Sequence, residues 1–150
     1  MSAVAFEDYA VGDVQQFGAY QVTMEEVLDF AARYDPSPHH LDPVAAADNP
    51  MFGRISASGA HSIAMLTRMM VDHWQASGQQ GMGSPGFTVR FVKPVFPGDV
   101  LDCALEVTAC TPSRSRQRFG RVQFTVRMRG QDGQTVLELD GSSFHARRTA

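Results

Sequence analysis

The sequence predicts a single α+β domain in which an antiparallel β-sheet wraps around a long central helix. Between residues 60 and 74, Ala60, Ile63, Ala64, Leu66, Met69, Met70, Val71 and Trp74 cover most of a helical circumference. A helix apolar nearly all round is one enclosed by other structure. After residue 86, four segments alternate apolar and polar side chains with a period of two, as antiparallel strands covered on one face do. The 150 residues suffice for one core, and no repeat or composition break divides 1–150. One enclosed helix and an antiparallel sheet make an α+β domain.

The elements follow in order. Residues 14–22 read as an edge strand. Thr23-Met24-Glu25-Glu26 is a capping-box pattern, with a Thr cap and a Glu three residues on. Met24, Val27, Leu28 and Ala31 then share one helical face, and the helix should end near Arg33 because Asp35 precedes a proline. Asp42-Pro43 predicts a short helix over 44–47, capped by Asp42 with proline at its first position. Asn49-Pro50 and Gly53 mark a loop, and so does the Gly/Ser/Gln-rich stretch 75–86. The strands are 87–91, broken by Lys93-Pro94, then 101–109 after the Pro97-Gly98-Asp99 turn, 121–128, and 136–144 after a turn at Gln131-Asp132-Gly133.

Bulk properties exclude several functions. An apolar fraction of 43% and a charged fraction of 19% are ordinary for a globular protein. A net charge of −3 gives no reason to expect nucleic acid or an anionic membrane as partner. No run is long enough to span a bilayer, and the N-terminus lacks signal-peptide character. Cys103 and Cys110, seven apart in one strand, should face oppositely. That disfavours a mutual disulfide or a CxxC-type metal site and fits a reducing, cytoplasmic home.

The chemistry concentrates between Tyr34 and Ala64. Asp35-Pro36-Ser37-Pro38-His39-His40 holds a carboxylate and an imidazole on a stretch stiffened by two prolines. Such a pair suits proton transfer, in which geometry precedes pKa. Ser58-Gly59 stands at the mouth of the long helix, where free backbone N–H groups could hold a developing oxyanion. The same residues are also good turn chemistry, and a serine before a helix is often only its N-cap.

The string Tyr34-Asp35-Pro36-Ser37-Pro38-His39-His40-Leu41-Asp42-Pro43, followed by Phe52-Gly53, Ala57-Ser58-Gly59-Ala60-His61 and Val89-Arg90-Phe91-Val92-Lys93-Pro94-Val95-Phe96-Pro97-Gly98-Asp99, resembles the MaoC-like (R)-specific enoyl-CoA hydratases. The resemblance covers most of the chain, in order. It implies a hot-dog fold and a hydratase or dehydratase acting on an acyl-CoA thioester, with coenzyme A as part of the substrate and no other cofactor. It assigns Asp35 and His40 to catalysis, Gly59 N–H to the thioester oxygen, and Ser58 and Ser37 to the substrate site. It also implies at least a homodimer with sheets joined edge to edge, consistent with an open sheet edge. Two residues depart from the pattern: Ser37 stands where Asn is usual, and His39 where the family is apolar.

Other residues carry lesser expectations. Thr67 either reaches the acyl channel or bonds back to its own helix. Met65, Met69 and Met70 either line a pliable tunnel or fill the core. His61 is expected to make a structural hydrogen bond and His39 to be a partly exposed bystander. A metal held by Asp35, His39, His40 and His61 lacks the usual ligand spacing. Arg114, Arg116, Arg118 and Arg121 either meet the phosphates of coenzyme A or form a solvated hairpin. A thioesterase on the same fold generally carries an acid near the start of the central helix, and here the first acid after Gly59 is Asp72. A non-catalytic acyl-CoA binding module would have no need of the Asp35–His40 pair.

Overall fold

The computed structural model describes residues 3–148. A 3-10 turn, Phe6–Asp8, precedes β1 (Val14–Gln21), α1 (Met24–Tyr34), α2 (Pro38–Leu41) and α3 (Pro43–Asp48). The long helix α4 (Gly59–Ala76) follows, then β2 (Phe87–Phe91), β3 (Val100–Pro112), β4 (Phe119–Arg129) and β5 (Thr135–Ala146). The strands form one antiparallel sheet in the order β1-β3-β4-β5-β2. This is the hot-dog arrangement, with β1 on one edge and β2 on the other. No helix is long and apolar enough to cross a membrane among the described residues.

Local chemistry sets the boundaries. Thr23 accepts from the Glu26 amide, and Asp42 from that of Val44, so both expected caps form. Glu26 completes no capping box; its carboxylate turns instead to Tyr20 and His61. Pro38, expected only to stiffen a loop, is the first residue of the one-turn helix α2, a position where its missing N–H costs nothing.

Two expectations fail for identifiable reasons. Helix α4 is not enclosed all round. His61, Ser62, Met65, Leu66, Met69 and Met70 are buried, while Ala60, Ala64, Thr67 and Val71 are exposed, because the sheet covers one side only. Nor do the cysteines face oppositely. A register shift between Val107 and Ala109 inserts a bulge into β3 and reverses its alternation, pairing Cys110 with Val122 while Cys103 pairs with Met128. Both thiols thus turn toward the core and remain free, separated by roughly 20 Å of strand. Burial pushes the Cys103 thiol up to about 12.

The core lies between the inner face of β3–β5 and α4. Leu101, Cys103, Leu105, Val107, Val122, Val126, Met128 and Leu137 meet Met65, Leu66 and Met69 there. Helix α1 buries Val27 and Ala31 and thereby fixes where Asp35, its C-cap, emerges.

Candidate active site

Asp35 closes α1, its amide donating to the Ala31 carbonyl. Ser37 Oγ donates to Asp35 Oδ1 at 2.7 Å, and Ser58 Oγ donates to Oδ2 at 2.7 Å. These hydroxyls, Ser58 foremost, hold the carboxyl below its usual range, and nearby His40 adds to the effect. Asp35 is therefore an anion near neutral pH.

His40 lies in α2 and is 5% exposed. Its Nδ1 stands 2.7 Å from the carbonyl oxygen of Ser56. A carbonyl only accepts, so Nδ1 carries the proton and donates. Nε2 then points at Asp35 Oδ2, 3.4 Å away. The ring packs at 4.0 Å from His39, which stacks on Phe52 at 5.1 Å. His39 is thus half-buried and wedges Phe52 beside the site.

Ser58 precedes α4, yet its side chain makes no cap to the helix. With the hydroxyl turned to Asp35, the first-turn amides of α4 have no side-chain partner. A Cβ built on Gly59 would lie 2.8 Å from Phe91 Cζ, so glycine is what lets this ring approach the helix end. His40, Gly59, Ser62, Phe52, Phe91 and Lys93 line a cavity of about 410 Å³. The imidazole and the helix N-terminus open on that space, and the Asp35 carboxylate stands behind them, 3.4 Å from His40 Nε2 and bonded to Ser58. The arrangement can polarise a water on one side and hold an oxyanion on the other.

Asp35, His40 and Gly59 are brought together. Ser37 and Ser58 reach the site through Asp35, as supports of the carboxylate. Thr67 is not brought there. It sits about 12 Å along α4, donates to the Ile63 carbonyl at 2.9 Å and lines a different cavity. His61 makes the expected structural bond, to Glu26 at 3.1 Å, and stacks on Phe30. Met65, Met69 and Met70 are buried. Asp72 pairs with Arg68 on the exposed side of α4. Arg114, Arg116, Arg118 and Arg121 are exposed at the far end of the sheet. Phe91 registers with Leu137, and Phe119, beside the arginines, with Ala146, so roughly 30 Å of strand separates cluster and site. Arg121 donates to Ser142. The described residues contain no group of acids, histidines and cysteines fit to hold a metal.

Sequence reasoning missed the Ser56 carbonyl, because any residue supplies one. It also read Phe91 and Lys93 only as a strand and its end, although both line the cavity.

Comparisons with known proteins place the fold. The MaoC-like dehydratase of Rhodospirillum rubrum superposes with a TM-score of 0.87 at 29% identity, covering 99% of this chain and 100% of that one. The R-hydratase PhaJ1 of Pseudomonas aeruginosa gives 0.72 at 27%, covering 97% and 86%. The (R)-hydratase of A. caviae involved in PHA biosynthesis gives 0.70 at 26%, covering 94% and 98%. Residues 8–128 match the MaoC like domain, and the chain belongs to that family of hydratases and dehydratases.

Proposed function

We propose that the protein adds water to, or removes it from, the double bond of an enoyl-CoA or 3-hydroxyacyl-CoA thioester. The observation that carries this reading is the 3.4 Å approach of His40 Nε2 to Asp35 Oδ2 beside the Gly59 end of α4. In the hydration direction, a water on the cavity side of the pair bonds to both groups. Asp35 stays ionised and orients it, while His40 Nε2 takes its proton as the hydroxyl adds to C3. The thioester oxygen gathers the resulting negative charge, and the Gly59 amide donates to it. The imidazolium returns the proton to C2, so one water is consumed and the enzyme is regenerated. The Ser56 carbonyl keeps Nδ1 protonated throughout, which reserves Nε2 for the transfer. Similarity to the Pseudomonas and A. caviae hydratases supports the assignment.

A second copy of the chain completes the picture. Phe87 and Phe91 on the open β2 edge are each 55% exposed, and the bare Ala60–Ala64–Val71 strip of α4 lies beside them. Pairing β2 with its counterpart would close the edge and cover that strip. The test of function is to mix the protein with crotonyl-CoA and follow the ultraviolet absorbance of the conjugated thioester. Loss of conjugation without free thiol is the expected result. Release of free thiol, or no reaction across a panel of chain lengths, overturns it.

A further inference from the structure

The groove between α4 and β2 has a second cavity, about 350 Å³, beyond Phe87. Its walls are Leu66, Met70, Trp74, Phe87, Phe124 and Leu139, and no charged residue lines it. Gly141 on the inner face of β5 leaves the space open: a Cβ there would lie 3.2 Å from both Leu139 and Phe87. The first cavity ends at Phe91, and the two phenylalanines are roughly 13 Å apart along β2. A chain held by its thioester at Gly59 and laid along the groove would therefore run toward this second space.

Four hydroxyl residues line it, Thr67, Ser84, Ser142 and Ser143: Thr67 bonds to the Ile63 carbonyl, Ser84 to Gly86 and Ser142 to Arg121, while Ser143 stands against a buried histidine. Ser143 lines the cavity and is 4% exposed; His145, two residues on along the same strand face, is 1% exposed. Ser143 Oγ stands 2.6 Å from His145 Nε2, and His145 Nδ1 is buried without a hydrogen-bond partner. Burial pushes the imidazole below its usual range; the Gln80 carbonyl pulls more weakly the other way without reaching hydrogen-bond geometry. The ring is neutral near pH 7. If Nε2 is bare, Ser143 donates to it and keeps lone pairs for a ligand donor. If Nε2 carries the proton, Ser143 accepts from it and keeps its own O–H for a ligand acceptor. A hydroxyl, donor and acceptor at once, satisfies Ser143 in either tautomer. A methyl satisfies neither, and a carboxylate would be a buried charge without a counter-ion.

We propose that this cavity is a binding site for the distal end of an acyl chain bearing a neutral hydroxyl, recognised by Ser143 with His145 behind it. That the ligand is an acyl thioester rests on the hydratase reading; the polar recognition rests on the cavity alone.

The test needs no turnover. Trp74, the chain's single tryptophan, lines the cavity, so its fluorescence reports occupancy directly. Saturated acyl-CoA thioesters of increasing length, each made with and without a terminal hydroxyl, have neither a double bond nor a 3-hydroxyl to react. The expected result is that, at the length that reaches Trp74, the hydroxylated chain binds about tenfold more tightly than the plain one. Ser143→Ala, with its cooperative unfolding verified, abolishes that difference. Equal affinities in the wild type, a preference that survives Ser143→Ala, or no response of Trp74 at any length overturns the proposal. A Ser143-dependent preference without hydration of any enoyl-CoA across the panel of chain lengths keeps the cavity assignment and removes the hydratase reading, so the two fail separately.

Discussion

The two ends of the α4–β2 groove each hold a buried imidazole against apolar walls, and their polar surroundings differ at both ring nitrogens. His40 has Nδ1 on a backbone carbonyl and Nε2 toward an ionised carboxylate. His145 has Nε2 against a neutral hydroxyl and Nδ1 without a partner. In the proposed mechanism the first keeps a nitrogen for proton transfer and has an anion to stabilise the imidazolium that results. At the second, protonation would place an uncompensated charge among Tyr9, Trp74 and Phe124. Burial alone therefore does not make a histidine catalytic. An adjacent carboxylate has to be joined by access to the cavity: His61 is buried against Glu26 of the same α1 but lies outside the cavity that His40 lines.

The most severe way to break the contrast is to remove either member of the proton-handling pair. Asp35→Asn keeps the shape and discards the charge, and His40→Ala removes the ring. Each should lower kcat/KM for crotonyl-CoA by about 10²- to 10⁴-fold in the absorbance assay. A His40→Ala rate within about tenfold of wild type would erase the distinction between the two imidazoles.

A gentler change weakens the anion without deleting it. Ser58→Ala takes away the hydrogen bond that contributes most to holding the Asp35 carboxyl low. In the wild type the ionised form persists as the medium is acidified and is lost only as pH falls through the depressed value. In the variant that value rises toward an ordinary carboxylate. Asp35 stays ionised at neutral pH in the variant, so the loss there is of the hold on Oδ2, a fall in kcat/KM of roughly tenfold or less. Stability follows the same sign. The Ser58–Asp35 contribution is present above the unfolded carboxylate pKa and lost as pH drops through the folded one, so the variant's deficit should shrink in acid. A fall of about a hundredfold or more at neutral pH would mean that Ser58 does more than hold the carboxylate.

Much of this frame was legible in the residues. Thr23 and Asp42 announce their helices because a capping side chain acts within its own turn, and the alternation in 87–91 gives β2 to the residue. The bulge in β3 was not legible, since an extra residue leaves no compositional trace and reverses the parity of everything after it. The exposure of Ala60, Ala64 and Val71 was hidden for another reason: periodicity reports that a face is apolar, not what covers it. At the site, Asp35 and His40 stand out because two prolines limit the backbone between them. The use of Ser58 did not, since a serine before a helix looks the same whether it caps the helix or reaches back to a carboxylate. Ser143 and His145 were not legible: the last strand reads only to 144, short of the Ala146 where β5 ends, and nothing local says that a cavity opens above them.

Thr67 gives the smallest and most discriminating effect. It is the hydroxyl-bearing residue on the α4 wall of the second cavity, and its O–H donates to the Ile63 carbonyl one turn back. Thr67→Val preserves the β-branched shape and removes only that local bond. Because such back-bonds compete with the helix rather than support it, stability should change by no more than about 0.5 kcal/mol. In the Trp74 titration the margin between hydroxylated and plain chains should survive this change, whereas Ser143→Ala removes it. If the margin vanished in Thr67→Val instead, the hydroxyl of the ligand would be reading α4 rather than β5, and His145 would be a packing residue like its aromatic neighbours.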